Sequence, residues 1–372
     1  MCKGICSLSR SEQIRADQSR ARNVYIDVLR IMAISMVVLC HAVEQVYSWD
    51  VNYISNLSMQ SRIFAFAAFT IGRLGVPIFM FITGYLLLTR DFDENGIKSF
   101  WKKNLLPLLI TTEIWIVLYD IFLKFFHSQP FKWSLLVKNV LFLEQVKMGH
   151  MWYMSMILGV YLFIPFVSRA IKNIKVQLLA IPLIVVTIYL TIFPLINFIL
   201  LSNKKSGFWP ILVLDYSGGY YGLIFILGYL YKRYVKIENL NGNLISLVGF
   251  FAYLLIVMLQ LFYFSKGLCC PVWYNWFPLI IASGCLVIVT IKISKRFILE
   301  DCAIIQLLGR CAFGVYLVHF PLLMGLNYYF PWNILLPVKV ISLFIVGLFL
   351  SYAIVVFLSR FKRIKTTLLY IK

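Results

Sequence analysis

Long apolar runs separated by short, mostly basic segments set the pattern of this chain. The first run, NVYIDVLRIMAISMVVLCHAV from Asn23 to Val43, has about the length an α-helix needs to cross the hydrocarbon core of a bilayer. Nine more runs follow, at about 63–88, 105–126, 151–168, 176–201, 216–231, 243–264, 272–291, 303–326 and 335–358. The pattern predicts an all-α, polytopic membrane protein of about ten transmembrane helices. It divides the chain into a basic tail over 1–22, a membrane domain over 23–358 and a second basic tail over 359–372. Between His127 and His150, the residues Trp133, Leu136, Val137, Val140 and Leu141 recur at helical spacing, which predicts an interfacial or re-entrant helix.

Ionisable residues interrupt the apolar runs, where charge is costly and therefore informative. The first run holds Asp27, Arg30 and His41. At about 100° per residue the step from Arg30 to His41 is ~20° beyond three full turns, with a rise of about 16.5 Å. Both side chains thus share one face at different depths. Asp27, three residues before Arg30, is placed to neutralise it in structural pairing, so the stripe is expected to face a cavity. Arg73 lies deep in the second run beside Gly72, Gly75 and Pro77, and needs an anionic partner or ligand. Glu113 in the third run is the candidate counter-charge for Arg30 or Arg73. His150 and His319 are expected to converge with His41 near the outer surface. Arg310 falls on the opposite helix face from His319 and near the inner end, where snorkelling accounts for it, so it is left outside the site.

Composition narrows the class. Of 372 residues 61% are hydrophobic and 13% charged, which excludes an ordinary soluble globular domain. The net charge of +20 would suggest a nucleic-acid partner in a soluble chain. Here Lys and Arg gather in alternate short segments, where they act as topology signals, so no nucleic-acid partner is expected and both termini are predicted to be cytoplasmic. No short apolar core with a cleavage site follows the basic start, so the first span reads as an uncleaved anchor. The eight Cys show no zinc spacing and no disulfide framework, and no metal is expected; vicinal Cys269 and Cys270 receive no role. No His is followed by Asp at the fourth or fifth position, and neither a GxSxG elbow nor a P-loop occurs. The chemistry must belong to the spans.

Four segments resemble the family-3 integral membrane acyltransferases, which include bacterial O-acetyltransferases acting on surface polysaccharides. YIDVLRIMAISMVVLCHAV is similar to that family's first-span signature, an Arg and a His separated by ten residues, here Arg30 and His41. RLGVPIFMFITGYLLL is similar to its second-span pattern, and GHMWYMSMILGVYLFIPFV to its His-Leu-Trp-Phe block, with Met151 and Tyr153 in place of the commoner Leu and Phe. FGVYLVHFPLL is similar to its late Gly-Ile-Tyr-Leu-Ile-His segment. The resemblance spans most of the chain and implies transfer of an acyl group, usually acetyl from acetyl-CoA, onto a sugar hydroxyl. It carries the essential pair onto Arg30 and His41.

The expected function is therefore O-acetylation of a lipid-linked or surface glycan, such as an O-antigen, by a multi-pass enzyme of the cell inner membrane. His41 suits a general base near neutral pH, and Arg30 suits an anchor for the phosphates or pantetheine of a donor entering from the cytoplasm. Arg73, His150, His319 and Glu113 are expected to bind donor or acceptor. Acetyl-CoA is a donor substrate, with no permanently bound cofactor, and membrane lipids surround the protein. The alternative is a glycan exporter or flippase, which formation of acetyl ester and free CoA by purified protein would exclude.

Overall fold

The computed structural model describes residues 10–127, 132–144, 148–208, 212, 214, 218–297, 302–329 and 333–371, and these are helical with no strand among them. The chain opens with α1 (Arg10–Val46), so the predicted tail is already helical from Arg10, while residues 1–9 lie outside the described residues. After the short α2 (Val51–Ser55), the second span consists of α3 (Met59–Arg73) and α4 (Gly75–Leu87), which abut at Leu74. The third joins α5 (Glu94–Phe100) to α6 (Leu106–His127) through a π-helical turn over Trp101–Leu105. Pro107 follows that turn, and a wider turn accommodates a residue that cannot donate a backbone hydrogen bond.

The predicted interfacial helix is α7 (Trp133–Val140), with Trp133 and Val137 exposed and Leu136 and Val140 packed inward. Residues 128–131 and 145–147 of the same loop lie outside the described residues. Beyond it come α8 (Trp152–Ile171), then α9 (Val176–Thr187) and α10 (Phe193–Ser202), a single span with a π-helical middle. The remaining helices are α11 (Gly219–Tyr234), α12 (Gly242–Ser265), α13 (Phe277–Arg296), α14 (Ala303–Tyr329), α15 (Leu336–Leu358) and α16 (Lys362–Thr367).

Among the described residues nine helical segments are long and apolar enough to cross a membrane, and the protein is a multi-pass membrane protein. The tenth expected run, 216–231, forms α11, which has 16 residues and rises only about 24 Å. Its start is delayed because Gly218 and Gly219 adopt φ of 78° and 60°, outside the right-handed helical region.

The first span is the hub. α1 packs against α3, α4, α13, α14 and α15, and Leu29, Ala33, Ile34, Val38, Ala42 and Val43 are fully buried along it. Two glycines allow this approach. A Cβ on Gly72 would lie 2.6 Å from the Cys40 backbone, and one on Gly309 would lie 2.4 Å from the Asp27 Cβ. Within their apolar windows the α1 and α3–α4 spans are 61% and 72% buried, against 17% for α9–α10 and for α12. Asp27, Arg30, His41 and Arg73 therefore sit on the most buried spans, and the apolar surfaces of α9–α10 and α12 are left open on the outside of the helix assembly.

The C-terminal segment packs against the helices. Residues 359–372 were expected to form a basic tail, but after α16 the chain folds back onto α6. Thr111 donates to the Thr367 carbonyl (2.9 Å), Trp115 Nε1 to the Leu368 carbonyl (2.7 Å) and the Tyr370 hydroxyl to the Asn104 carbonyl (3.0 Å). Leu369 is fully buried. The physical reason is the apolar run Leu368, Leu369, Tyr370 and Ile371 behind the lysines, which favours burial over exposure.

Candidate active site

Two cavities lie along α1. At the Arg30 end, Nη1 of Arg30 donates to Oδ1 of Asp27 at 2.8 Å, the pairing expected from their spacing. The Asp27 carboxylate is nearly enclosed, but the Arg30 side chain keeps 33% of its surface open, facing a cavity of about 350 Å³. Arg90 and Arg310 share its wall with Asn104, Tyr161 and Tyr370. Arg310 thus belongs to this cavity, contrary to its exclusion on helix-face grounds. α14 lines the Arg30 chamber with Gly309, Arg310, Ala312 and Phe313, and one turn further along it lines the His41 chamber with Tyr316. Arg90 and Arg310 each spend Nε on the carbonyl four residues back, Leu86 and Gln306, at 3.2 and 3.1 Å. Neither forms an ion pair among the described residues, so their terminal nitrogens remain for an anion.

At the other end three imidazoles meet. The rings of His41 and His319 lie 5.3 Å apart, those of His150 and His319 also 5.3 Å, and those of His41 and His150 6.0 Å, as expected from their depths. His41 Nδ1 is 2.6 Å from Oε2 of Glu44, whose Oε1 accepts from Nη2 of Arg73 at 3.0 Å. A carboxylate shared in this way accepts the Nδ1 proton, so the neutral ring presents the lone pair of Nε2. His319 spends its Nδ1 proton on the Val315 carbonyl at 3.1 Å, leaving Nε2 buried without a partner. The Tyr119 hydroxyl donates to the Leu317 carbonyl (2.5 Å) and therefore accepts from His150 Nε2 (3.2 Å), leaving His150 Nδ1 buried without a partner. Tyr316 secures the same residue through the His150 carbonyl at 2.6 Å. All three rings thus turn an unprotonated nitrogen away from their structural contacts. The two buried unmet acceptors, on His150 and His319, each costing about 1–3 kcal/mol, suit a hydroxyl-bearing ligand.

Arg73 is the buried support of this end. Its guanidinium lies 4.6 Å from the ring centroids of both Phe69 and Trp273, and Nη1 donates to the Tyr274 hydroxyl at 2.9 Å. Burial pushes the Tyr274 phenol above its ordinary value, outweighing the opposing pull of Arg73, so the phenol stays neutral and Glu44 alone balances the charge. The expected partner Glu113 is not used: it sits part-exposed on α6, and the carboxylates that meet Arg30 and Arg73 are Asp27 and Glu44.

The sequence reading passed over Glu44, although its position three residues after His41 was a legible signal, and passed over Tyr119, Tyr274, Tyr316 and Arg90. Cys40, His41 and Glu44 bring donor atoms within 4.8 Å of one another, the one such grouping among the described residues that could hold a metal ion. Both Glu44 oxygens are already engaged, one by the Arg73 cation, so the geometry favours a hydrogen-bond relay over a metal site.

The His41 end encloses only about 10 Å³, bounded by His41, His150, Tyr153, Tyr274 and Tyr316 among others. Chemically the pair of chambers offers a polycationic mouth at one level and a supported base at another. Comparison with curated proteins and with solved structures gives no match. The model of the acyltransferase domain, family 3, matches residues 23–360, almost the whole length, and with it the chain belongs to the family-3 membrane acyltransferases.

Proposed function

We propose that this acyltransferase takes acetyl from cytoplasmic acetyl-CoA and transfers it, across the inner membrane, to a hydroxyl of a lipid-linked or surface glycan such as an O-antigen. The observation that carries the reading is the single helix α1, which presents Arg30 to one chamber and His41 to the other, about 16.5 Å further along. The phosphates of the donor bind Arg30, Arg90 and Arg310, and the acyl-pantetheine arm extends along the α1 stripe. His41 Nε2 takes the proton from the glycan hydroxyl as its oxygen attacks the thioester carbonyl. The new C–O bond forms, the C–S bond breaks, and the departing CoA sulfur takes up the proton from His41. Glu44 holds the ring in the required tautomer, and the charge of Arg73 fixes Glu44. His150 and His319 receive hydrogen bonds from the acceptor sugar.

The test uses purified protein in vesicles, a lipid-linked glycan and acetyl-CoA offered separately to each face. Acetyl ester and free CoA, formed in equal amounts and only with donor on the Arg30 face, are the expected products. A glycan exporter of the same fold would yield neither, and activity confined to donor on the opposite face would remove the through-membrane route.

A further inference from the structure

The reaction just described cannot occur in the chambers as they stand. About 10 Å³ at the His41 end holds one water at most, whereas a thioester carbonyl and an attacking hydroxyl both have to enter. A wall must move, and the wall that matters is the one facing the donor chamber. Tyr153 is common to both chambers: it lines the one that holds Arg30 and the one that holds His41.

Three tyrosines near Tyr153 are tethered through their hydroxyls, and among the described residues Tyr153 is not. The hydroxyls of Tyr119, Tyr274 and Tyr316 are each hydrogen-bonded, to Leu317, Arg73 and His150. Among the described residues no hydrogen bond holds the Tyr153 hydroxyl, and its ring rests on Trp152 and Tyr316 by edge and tilted contacts at 6.0 and 5.6 Å. Swinging it aside breaks no hydrogen bond and exchanges one set of weak ring contacts for another, a rotamer change of the kind side chains make readily. Moving Tyr316 would strip the His150 carbonyl of its partner, and moving Tyr119 would release His150 itself. Tyr153 is the second residue of α8, which begins at Trp152 just after the 3-10 turn Gly149–Met151.

We infer that Tyr153 is the movable partition between the two chambers, a positioning residue that shuts the His41 end off from the donor side until the acyl-thioester arm displaces its ring. The inference rests on the acyl-transfer reading and adds the element that makes the route conditional on a bound donor. In the resting state the partition keeps the mouth lined by arginines from leaking water and ions to the far chamber.

Cys40 supplies a reporter, because its buried side chain lines the His41 chamber and not the Arg30 chamber. Sealed vesicles of one orientation are exposed on the Arg30 face to a membrane-impermeant methanethiosulfonate carrying a sulfonate, and the Cys40 peptide is followed by mass spectrometry. Protection of Cys40 is expected in the natural protein and in Tyr153→Phe, with labelling faster by about tenfold or more in Tyr153→Ala and Tyr153→Leu. Cys311, buried and lining neither chamber, should stay protected in all of them, which separates an opened partition from a loosened fold. Tyr153→Trp, which enlarges the partition, should lower kcat by about tenfold with the donor KM unchanged. Equal Cys40 protection in natural, Ala and Leu proteins, or equal labelling in all of them, overturns the partition. If the labelling follows expectation while the natural protein forms no acetyl ester, the partition stands and the acyl-transfer reading falls.

Discussion

The two ends of α1 are made of different materials. Around Arg30 the chamber is about 350 Å³, three arginines line it, and two of them have no carboxylate partner among the described residues. Around His41 the chamber is about 10 Å³, and the polar groups are tied into a chain from His41 through Glu44 and Arg73 to Tyr274. The first end resembles a binding surface, open and charged, with little internal hydrogen bonding to lose. The second resembles a preorganised reaction centre, where donors and acceptors are fixed before substrate arrives. Under the proposed function, the contrast assigns binding to one end and chemistry to the other. Changes at the Arg30 end should move the donor KM, and changes at the His41 end should move kcat.

The largest effect belongs to the base. His41→Ala should lower the rate of acetyl transfer by about a thousandfold, within the span typical of a lost general base. The measurement is the initial rate with saturating acetyl-CoA, normalised to the protein recovered in the membrane. A normally inserted variant with an unchanged rate would dissolve the distinction between the two ends.

Next comes the support of that base. Glu44→Gln should lower kcat by about a hundredfold, because a single amide oxygen replaces the two that now accept separately from His41 and Arg73, and an NH2 directed at the ring would impose the other tautomer. Arg73 would then be buried without its counter-charge, a loss of about 3–5 kcal/mol when one partner of such a pair is removed. A lowered thermal midpoint should accompany the slower turnover, with the donor KM near its original value. A lowered midpoint with normal kcat would make Glu44 a purely structural partner of Arg73.

This pair also marks how far the sequence can be read. The shared face of Arg30 and His41, the pairing of Asp27 with Arg30 and the meeting of three His follow from helical angles and depths, which are local or nearly so. Glu44 obeys the same i,i+3 rule as Asp27, but it stands at the end of the span, where a carboxylate needs no explanation, and so it drew no attention. Arg73 demanded a partner, yet nothing local chooses between Glu113 and Glu44. That choice depends on the contact between α1 and α3 that Gly72 permits. The tyrosines were hidden by their number, 22 in the chain, most of them at home near a membrane interface. Arg310 was left out because its angle was compared with His319 alone, whereas α14 lines two chambers at successive levels, which a single angle does not reveal. The packing of the C-terminal segment was not legible because its lysines and arginines outweigh the short apolar run that follows them.

At the Arg30 end the expected effects are smaller. Arg30→Ala should raise the acetyl-CoA KM by about tenfold or more, the loss of a charge-assisted contact worth about 1.5–3 kcal/mol, and should leave kcat little changed. Arg30→Lys should lie between, since a point charge still attracts phosphate without the forked geometry. Asp27 loses its partner in the Ala variant, so protein recovery must be measured beside the titration. A fall in kcat at unchanged KM would show that Arg30 serves the chemistry, contrary to the comparison.

The smallest expected effect tests the C-terminal segment. Trp115 on α6 donates to the Leu368 carbonyl and so holds the stretch that brings Tyr370 and Ile371 into the wall of the Arg30 chamber. Trp115→Phe keeps a ring in place and removes that one hydrogen bond, worth about 1 kcal/mol. A modest fall in thermal midpoint should therefore accompany a rise of about threefold in the acetyl-CoA KM, as the wall loosens around the donor. Turnover at saturating donor should be unaffected. Trp115 is also in contact with Tyr119, whose hydroxyl meets His150, so the same substitution has a route to the other end of α1. Acetyl-CoA titration of the purified variant separates the two: a changed KM places the segment with the donor chamber, whereas a changed kcat at constant KM would place Trp115 in the support of His150 and blur the division between the two ends.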